Sequence, residues 1–153
     1  MRLLSSQKEI TSTFNALLRE CQSISFAVAW ASIGFDSCTQ LLKSRRKIRQ
    51  GVVGTHFYQT APEFIESFIG KKNVKFIRSQ SSVFHPKVYL FEWRNGDWSC
   101  LIGSANFTRG GFGDNSELLI HIEKSDDLSG TIGAKIRSQI ETYWARDTAN
   151  IRS

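Results

Sequence analysis

Three short apolar runs, each ending against polar residues able to do chemistry, constrain this chain more than any other feature. From Phe84 to Leu119 it reads FHPKVYLFEWRNGDWSCLIGSANFTRGGFGDNSELL. Lys87-Val88-Tyr89-Leu90-Phe91 is rich in β-branched and aromatic residues, as strands are. Side chains on a strand alternate faces, so His85 and Lys87, two apart, are expected on one side. The second run, Trp98 to Ile102, leads into Gly103-Ser104-Ala105-Asn106, which again sets two polar groups two residues apart. A turn-rich segment, Arg109-Gly110-Gly111-Phe112-Gly113-Asp114-Asn115, then reaches Glu117 at the head of a third run, Leu118 to Ile122. An imidazole, an amine, a hydroxyl, an amide and a carboxylate are thereby expected to meet at strand ends, as a phosphate-handling set.

His85-Pro86-Lys87, Glu92, Gly103-Ser104-Ala105-Asn106 and Glu117, in that order, resemble the HKD signature of the phospholipase D superfamily. The family usually has Asp five positions after the lysine, where this chain has Glu92. By strand parity Glu92 points away from His85 and Lys87, and it reads as a supporting charge outside the chemistry. The resemblance implies an α/β fold, a mixed β-sheet flanked by helices on both faces, and hydrolysis through a covalent phosphohistidine. Family members use two facing motifs, one histidine attacking and the other protonating the leaving group. Neither His56 nor His121 is followed two residues later by lysine, so the second motif is expected from a second copy, in a homodimer.

The residue types fit such chemistry. Neutral His85 can attack phosphorus, and an imidazole titrating near neutrality can donate a proton. Lys87 offers a point charge and Asn106 an amide donor to phosphoryl oxygens. Ser104 can hydrogen-bond the phosphate or the histidine. Glu117 is expected to accept the other ring N–H of His85, as a triad carboxylate does. Arg109 is the expected backbone-phosphate contact. His56, in the loop after a strand, joins it with Tyr58 as a candidate substrate contact. Phe107 and Phe112 offer faces for base stacking, with Trp93 read as core. No Asp/Glu cluster suggests magnesium and the cysteine spacing does not suggest zinc, so neither metal nor cofactor is expected.

Short single-motif members of this superfamily are often nucleases, and Gly103 to Thr108 with the glycines after them looks like the restriction-endonuclease and helicase-associated branches. A net charge of +6 favours a polyanionic partner. DNA is the expected substrate, with RNA open. A phospholipid phosphodiesterase or phosphatidyltransferase and a non-catalytic nucleic-acid-binding subunit are the alternatives.

The remaining segments read as scaffold for one domain spanning the 153 residues. Ile10, Phe14, Leu17 and Leu18 predict a helix over Ser6–Glu20. Ile24–Ala31 reads as a central strand, and Asp36 or Ser37 as the cap of a helix to about Ser44. Lys43 to Arg49 carries five cations in seven residues, leading into a strand that reaches Val53. These cations read either as a solvated helix end or, with Lys71, Lys72, Lys75 and Arg78, as a phosphate-backbone patch. Pro62–Ile69 predicts a helix with Phe64, Ile65, Phe68 and Ile69 inward, Asn73–Arg78 a strand, and Ser79–Ser82 a loop at the mouth of the site. Leu128–Trp144 predicts a closing helix, followed by a polar tail from Ala145. Cys21, Cys38 and Cys100 are odd in number and widely spaced, which suits reduced thiols in a cytoplasmic protein. No run of 18 apolar residues predicts a membrane span, and the N-terminus does not read as an export signal.

Overall fold

The structure is a computed structural model that describes residues 1–78 and 82–146. Seven strands form one mixed sheet: β1 (Arg2–Leu4), β2 (Ser23–Val28), β3 (Ile48–Gly54), β4 (Val74–Ile77), β5 (Lys87–Glu92), β6 (Trp98–Gly103) and β7 (Leu119–Glu123). Their order across the sheet is β1-β7-β6-β5-β2-β3-β4. β2, β3 and β4 run parallel, whereas β5, β6, β7 and β1 pair antiparallel, β5 against β2.

Helices lie on both faces, as expected of this fold class. α1 (Gln7–Glu20), α2 (Asp36–Lys43) and α3 (Pro62–Glu66) cover one face, and α4 (Thr131–Trp144) packs on the other. Ser6 starts α1 with a capping box: its Oγ accepts from Glu9 N at 3.1 Å while Glu9 Oε2 accepts from Ser6 N at 3.1 Å. The α1 face of the sheet is filled by aromatic rings. Phe14 meets Phe112, Phe107, Phe91 and Tyr89 with centroids 5.2 to 5.7 Å apart. Truncating it to alanine would cost about 3–5 kcal/mol. Phe107 and Phe112 are therefore core, 1% and 4% exposed, and are not stacking surfaces for bases. Trp93 also packs against this core.

Several expectations are corrected. β1 was not expected, because a three-residue edge strand leaves almost no periodic signal. Asp36 and Ser37 do not cap α2, whose N-cap is Phe35. They instead bond Asn15 of α1, at 2.8 Å each. α3 stops after five residues, with Gly70 at φ 74°, and leaves Ile69 exposed. α4 begins at Thr131 rather than Leu128; Asp127 accepts from the amides of Ile132 (3.1 Å) and Gly133 (2.8 Å) and so serves its first turn.

The cation run is partly committed to helix ends, and not the end of its own helix. Lys47 Nζ donates to Leu18 O (2.7 Å) and Arg19 O (3.0 Å) of α1. Arg45 donates to Ser67 O after α3 at 3.1 Å, and Lys75 to Trp144 O of α4 at 3.1 Å. Each cation meets carbonyls at the negative end of a helix dipole. Residues 43–49 also enter β3 at its N-terminal end, opposite the strand ends that gather the motif residues. Of the loop expected at Ser79–Ser82, residues 79–81 lie outside the described residues, as does the tail beyond Arg146. Cys21, Cys38 and Cys100 are buried free thiols.

Candidate active site

The site forms where β2 and β3 end, β5 begins and β6 hands over to the loop before β7. Phe84 is buried against Tyr143 of α4, with ring centroids 5.1 Å apart. It anchors the segment that presents His85. Pro86 O accepts from Ala29 N at 2.9 Å, tying that segment to the end of β2. Lys87 then enters β5 on the face it shares with Tyr89 and Phe91.

His85 is exposed, whereas Lys87 is 9% exposed. The ammonium lies 2.8 Å from Nδ1 and 2.9 Å from Nε2 of His85 and donates to the residue's own carbonyl at 3.0 Å. Desolvation, and then the Lys87 charge, holds the imidazole below the ordinary histidine range. Desolvation lowers Lys87 as well, opposed by the negative charge of Glu117. The pair therefore favours a neutral imidazole beside a fixed cation.

Asn106 is aimed by the backbone. Its Oδ1 accepts from Trp30 N at 3.2 Å, which leaves Nδ2 to donate to an incoming oxygen. Ala31 bridges Phe107, and Ser32 N donates to Phe107 O at 3.0 Å. Tyr89 OH holds the same loop by donating to Ala105 O at 2.8 Å. Gly111 has to be glycine, since a Cβ would run into the carbonyl oxygen of Asn106. Gly103 is fixed likewise: a Cβ would strike Leu118 O. That close approach lets Ser104 N donate to Leu118 O at 2.9 Å while Ser104 Oγ accepts from Leu118 N at 2.9 Å.

Glu117 corrects an expectation. Among the described residues its hydrogen-bond partners are Ser104 Oγ, which donates to Oε2, and Asn115 Nδ2 at 3.4 Å to Oε1, not His85. Its charge acts instead on Lys87 and on buried Tyr89, whose phenol is raised further by it after desolvation. Arg109 is exposed, its N donating to Ser32 Oγ at 2.9 Å and its Nε 3.9 Å from Asp114. Glu92 lies on the opposite face of β5, where Oε2 accepts from Arg137 Nε of α4 at 2.8 Å. The parity reading holds for it.

Trp30 is the residue that the sequence reading passed over. Its ring stands 5.3 Å from His85, edge to face at 76°, and its Nε1 donates to His56 O at 3.0 Å. One residue thus meets the imidazole and the loop after β3 through its ring and the side chain of Asn106 through its backbone N–H. The available signal was its place just beyond a buried strand, where side chains face a sheet end and not the core. His56 itself is half-buried at that loop. A cleft of about 340 Å³ opens beside the site, lined by His85, Lys87, Ile102, Gly103, Ile140 and Tyr143.

Known proteins share this fold. No curated protein matches the chain by sequence. Among solved structures, the phospholipase D family member Nuc from Salmonella typhimurium superposes with a TM-score of 0.69 at 14% identity, over 99% of this chain and 97% of that one. NucT from Helicobacter pylori superposes with a TM-score of 0.64 at 14% identity, over 97% of each chain. TrmBL2, an archaeal chromatin protein, reaches 0.54 at 12% identity, over 97% of this chain and 54% of its own. The family described as cardiolipin synthase, PLD-like domain, matches residues 40–144, which include His85, Lys87, Ser104, Asn106 and Glu117. With that match over most of its length and the fold of Nuc, the chain belongs to the phospholipase D superfamily.

Proposed function

We propose that this chain is a metal-independent phosphodiesterase, an endonuclease of DNA with RNA as a second polymer, whose active site is pooled by two identical copies in the cytoplasm. The observation that carries the reading is the Lys87 ammonium held 2.8 Å from Nδ1 of the exposed His85 ring, a contact that disfavours the protonated form. A neutral ring nitrogen is a nucleophile, and the adjacent cation can neutralise a phosphoryl oxygen without a metal ion.

In this mechanism a ring nitrogen of His85 attacks phosphorus, and the bond from phosphorus to the leaving oxygen breaks. The two imidazoles hold one proton between them, and the protonated His85 of the second copy gives it to that oxygen. Water then attacks the phosphohistidine, the second imidazole takes the water's proton, and the P–N bond breaks to return neutral His85. Lys87 and Asn106 Nδ2 stabilise the non-bridging oxygens throughout. Ser104 and Glu117 act behind them, Glu117 keeping Lys87 protonated and Ser104 fixing Glu117.

Support for the second copy comes from the sheet. Val88, Ile102, Ile120 and Leu3 are successive register partners across β5, β6, β7 and β1 and so share one face. α4 covers Val88, while Ile102, Ile120 and Leu3 remain 40%, 38% and 57% exposed. This bare half of the sheet runs straight into the cleft beside His85, where a symmetric partner would seal it and bring its own imidazole. The buried reduced thiols suit a reducing compartment.

DNA is favoured over lipid by the +6 charge. Among the described residues no helix is long and apolar enough to cross a membrane. The second reading, a phosphatidyl-transferring or phospholipid-cleaving enzyme, draws on the family description and on the apolar lining of the cleft by Ile102 and Ile140. The third, a non-catalytic nucleic-acid-binding subunit, draws on TrmBL2, whose structure is described as showing a mode of DNA binding. One experiment separates the three. Wild-type and His85→Ala protein are incubated in excess EDTA with plasmid DNA, single-stranded DNA, RNA and phosphatidylglycerol vesicles. Polymer cleavage by the wild type alone supports the nuclease. Lipid turnover alone supports the second reading, and DNA binding without cleavage by either protein supports the third.

A further inference from the structure

The loop after β3 contains a backbone conformation that its residues disfavour. Phe57 and Tyr58 both have positive φ, 57° and 54°, in a turn closed by Gln59 N donating to His56 O at 3.3 Å. Asn-Gly is the pair that normally fills such a turn, because a large side chain crowds the backbone there. These two aromatics gain little packing in return: Phe57 is 65% exposed and Tyr58 fully exposed. A costly backbone that holds two rings in solvent calls for a use outside the fold.

The turn is also clamped to the catalytic centre. His56 O accepts from Trp30 Nε1 at 3.0 Å, and the Trp30 ring meets His85. Thr55 donates to Ile77 O through both N (3.2 Å) and Oγ1 (2.8 Å), which sets the exposed cation Arg78 beside the turn.

We propose that Phe57 and Tyr58 form a stacking platform for unstacked nucleobases, so that the enzyme takes single-stranded nucleic acid, or single-stranded segments of a longer polymer, in preference to duplex. The inference rests on the nuclease reading above and names its substrate class. A ring can stack on a base only where the neighbouring base has moved away, which is the ordinary state of a single strand and a costly one in duplex. Arg78 then neutralises a phosphate of the strand that passes from the platform toward Lys87.

The test uses Phe57→Asn combined with Tyr58→Gly, which gives the turn its preferred residues and so does not threaten folding. KM and kcat are measured on a fluorescent single-stranded oligonucleotide, on the same strand in duplex, and on a strand carrying abasic sites. For the wild type, the intact single strand is expected to have the lowest KM, with abasic sites raising it about tenfold. The double variant is expected to raise KM for the intact strand about tenfold per lost ring, to become indifferent to abasic sites, and to melt at a higher temperature than the wild type. A wild type that cuts single strand and duplex equally well, or a variant that keeps the wild-type KM on the intact strand, overturns the platform while leaving the nuclease standing. A wild type that cuts none of these polymers overturns both.

Discussion

The Nζ of Lys87 stands 2.8 Å from Nδ1 of His85 and 3.0 Å from the carbonyl oxygen of the same residue. A protonated ring has no lone pair to offer an ammonium and is repelled by it, so this contact selects the neutral imidazole. The proposed nucleophile is thus kept neutral beside the cation proposed to meet the phosphate.

Replacing Lys87 with methionine keeps the length of the side chain and removes the charge. The second cause of the lowered His85 pKa disappears, so the ring holds its proton to higher pH than in the wild type. The acidic limb of kcat/KM is expected to move toward higher pH, and activity at the plateau to fall about 10²–10³-fold from lost oxyanion stabilisation. A pH–rate profile on the residual activity checks the direction; a limb that moves toward lower pH is incompatible with the proposed pairing.

If two imidazoles are needed, a dimer with one wild-type and one His85→Ala chain is inactive. Activity in co-refolded mixtures is then expected to fall as the square of the wild-type fraction, against a linear fall for independent chains. Ile120→Lys puts a charge in the bare half of the sheet and is expected to give a folded monomer with little activity. Sedimentation and circular dichroism measure this together. An Ile120→Lys protein that remains dimeric and active places the joint elsewhere.

Glu92 is bound to Arg137 on the face away from His85, with 18% of its side chain exposed. Glu92→Ala leaves Arg137, 40% exposed, to be solvated by water and is expected to cost about 0.5–1 kcal/mol. For a domain of this size that corresponds to a melting temperature lower by about 2–4 °C per kcal/mol. kcat/KM per folded molecule is expected to be unchanged. Lost activity at an unchanged melting temperature would move Glu92 into the chemistry.

His121 is buried in β7, with its pKa lowered first by desolvation and also by Arg2 and the N-terminal amine, against the opposing pull of Glu123 and Asp126. Its folded value lies below its unfolded value, so between the two the unfolded chain binds more protons. The stability it contributes is complete above the ordinary histidine pKa of about 6.5 and is lost as pH falls below it. Urea midpoints of wild type and His121→Leu at pH 7.5 and 5.5 check this: the wild type is expected to lose more of its stability on acidification, and an equal loss in both would remove His121 as a cause.

Every strand except β1, and the motif residues, were legible in the sequence, because alternation, β-branching and the spacing of His85, Lys87, Ser104 and Asn106 are local properties. Strand parity alone sent Glu92 to the opposite face. The partner of each polar group was not local. Glu117 bonds Ser104 because Gly103 admits the backbone of Leu118, and Trp30 joins His85, Asn106 and His56 because parallel β2 and β3 end side by side at the start of antiparallel β5. Phe107 and Phe112, next to the motif in sequence, turned inward to the ring cluster, while Phe57 and Tyr58, in the loop after β3, stand in solvent. Which aromatic side chains face water depends on what the sheet has already covered. Packing between distant segments decides that, and no periodicity within one segment records it.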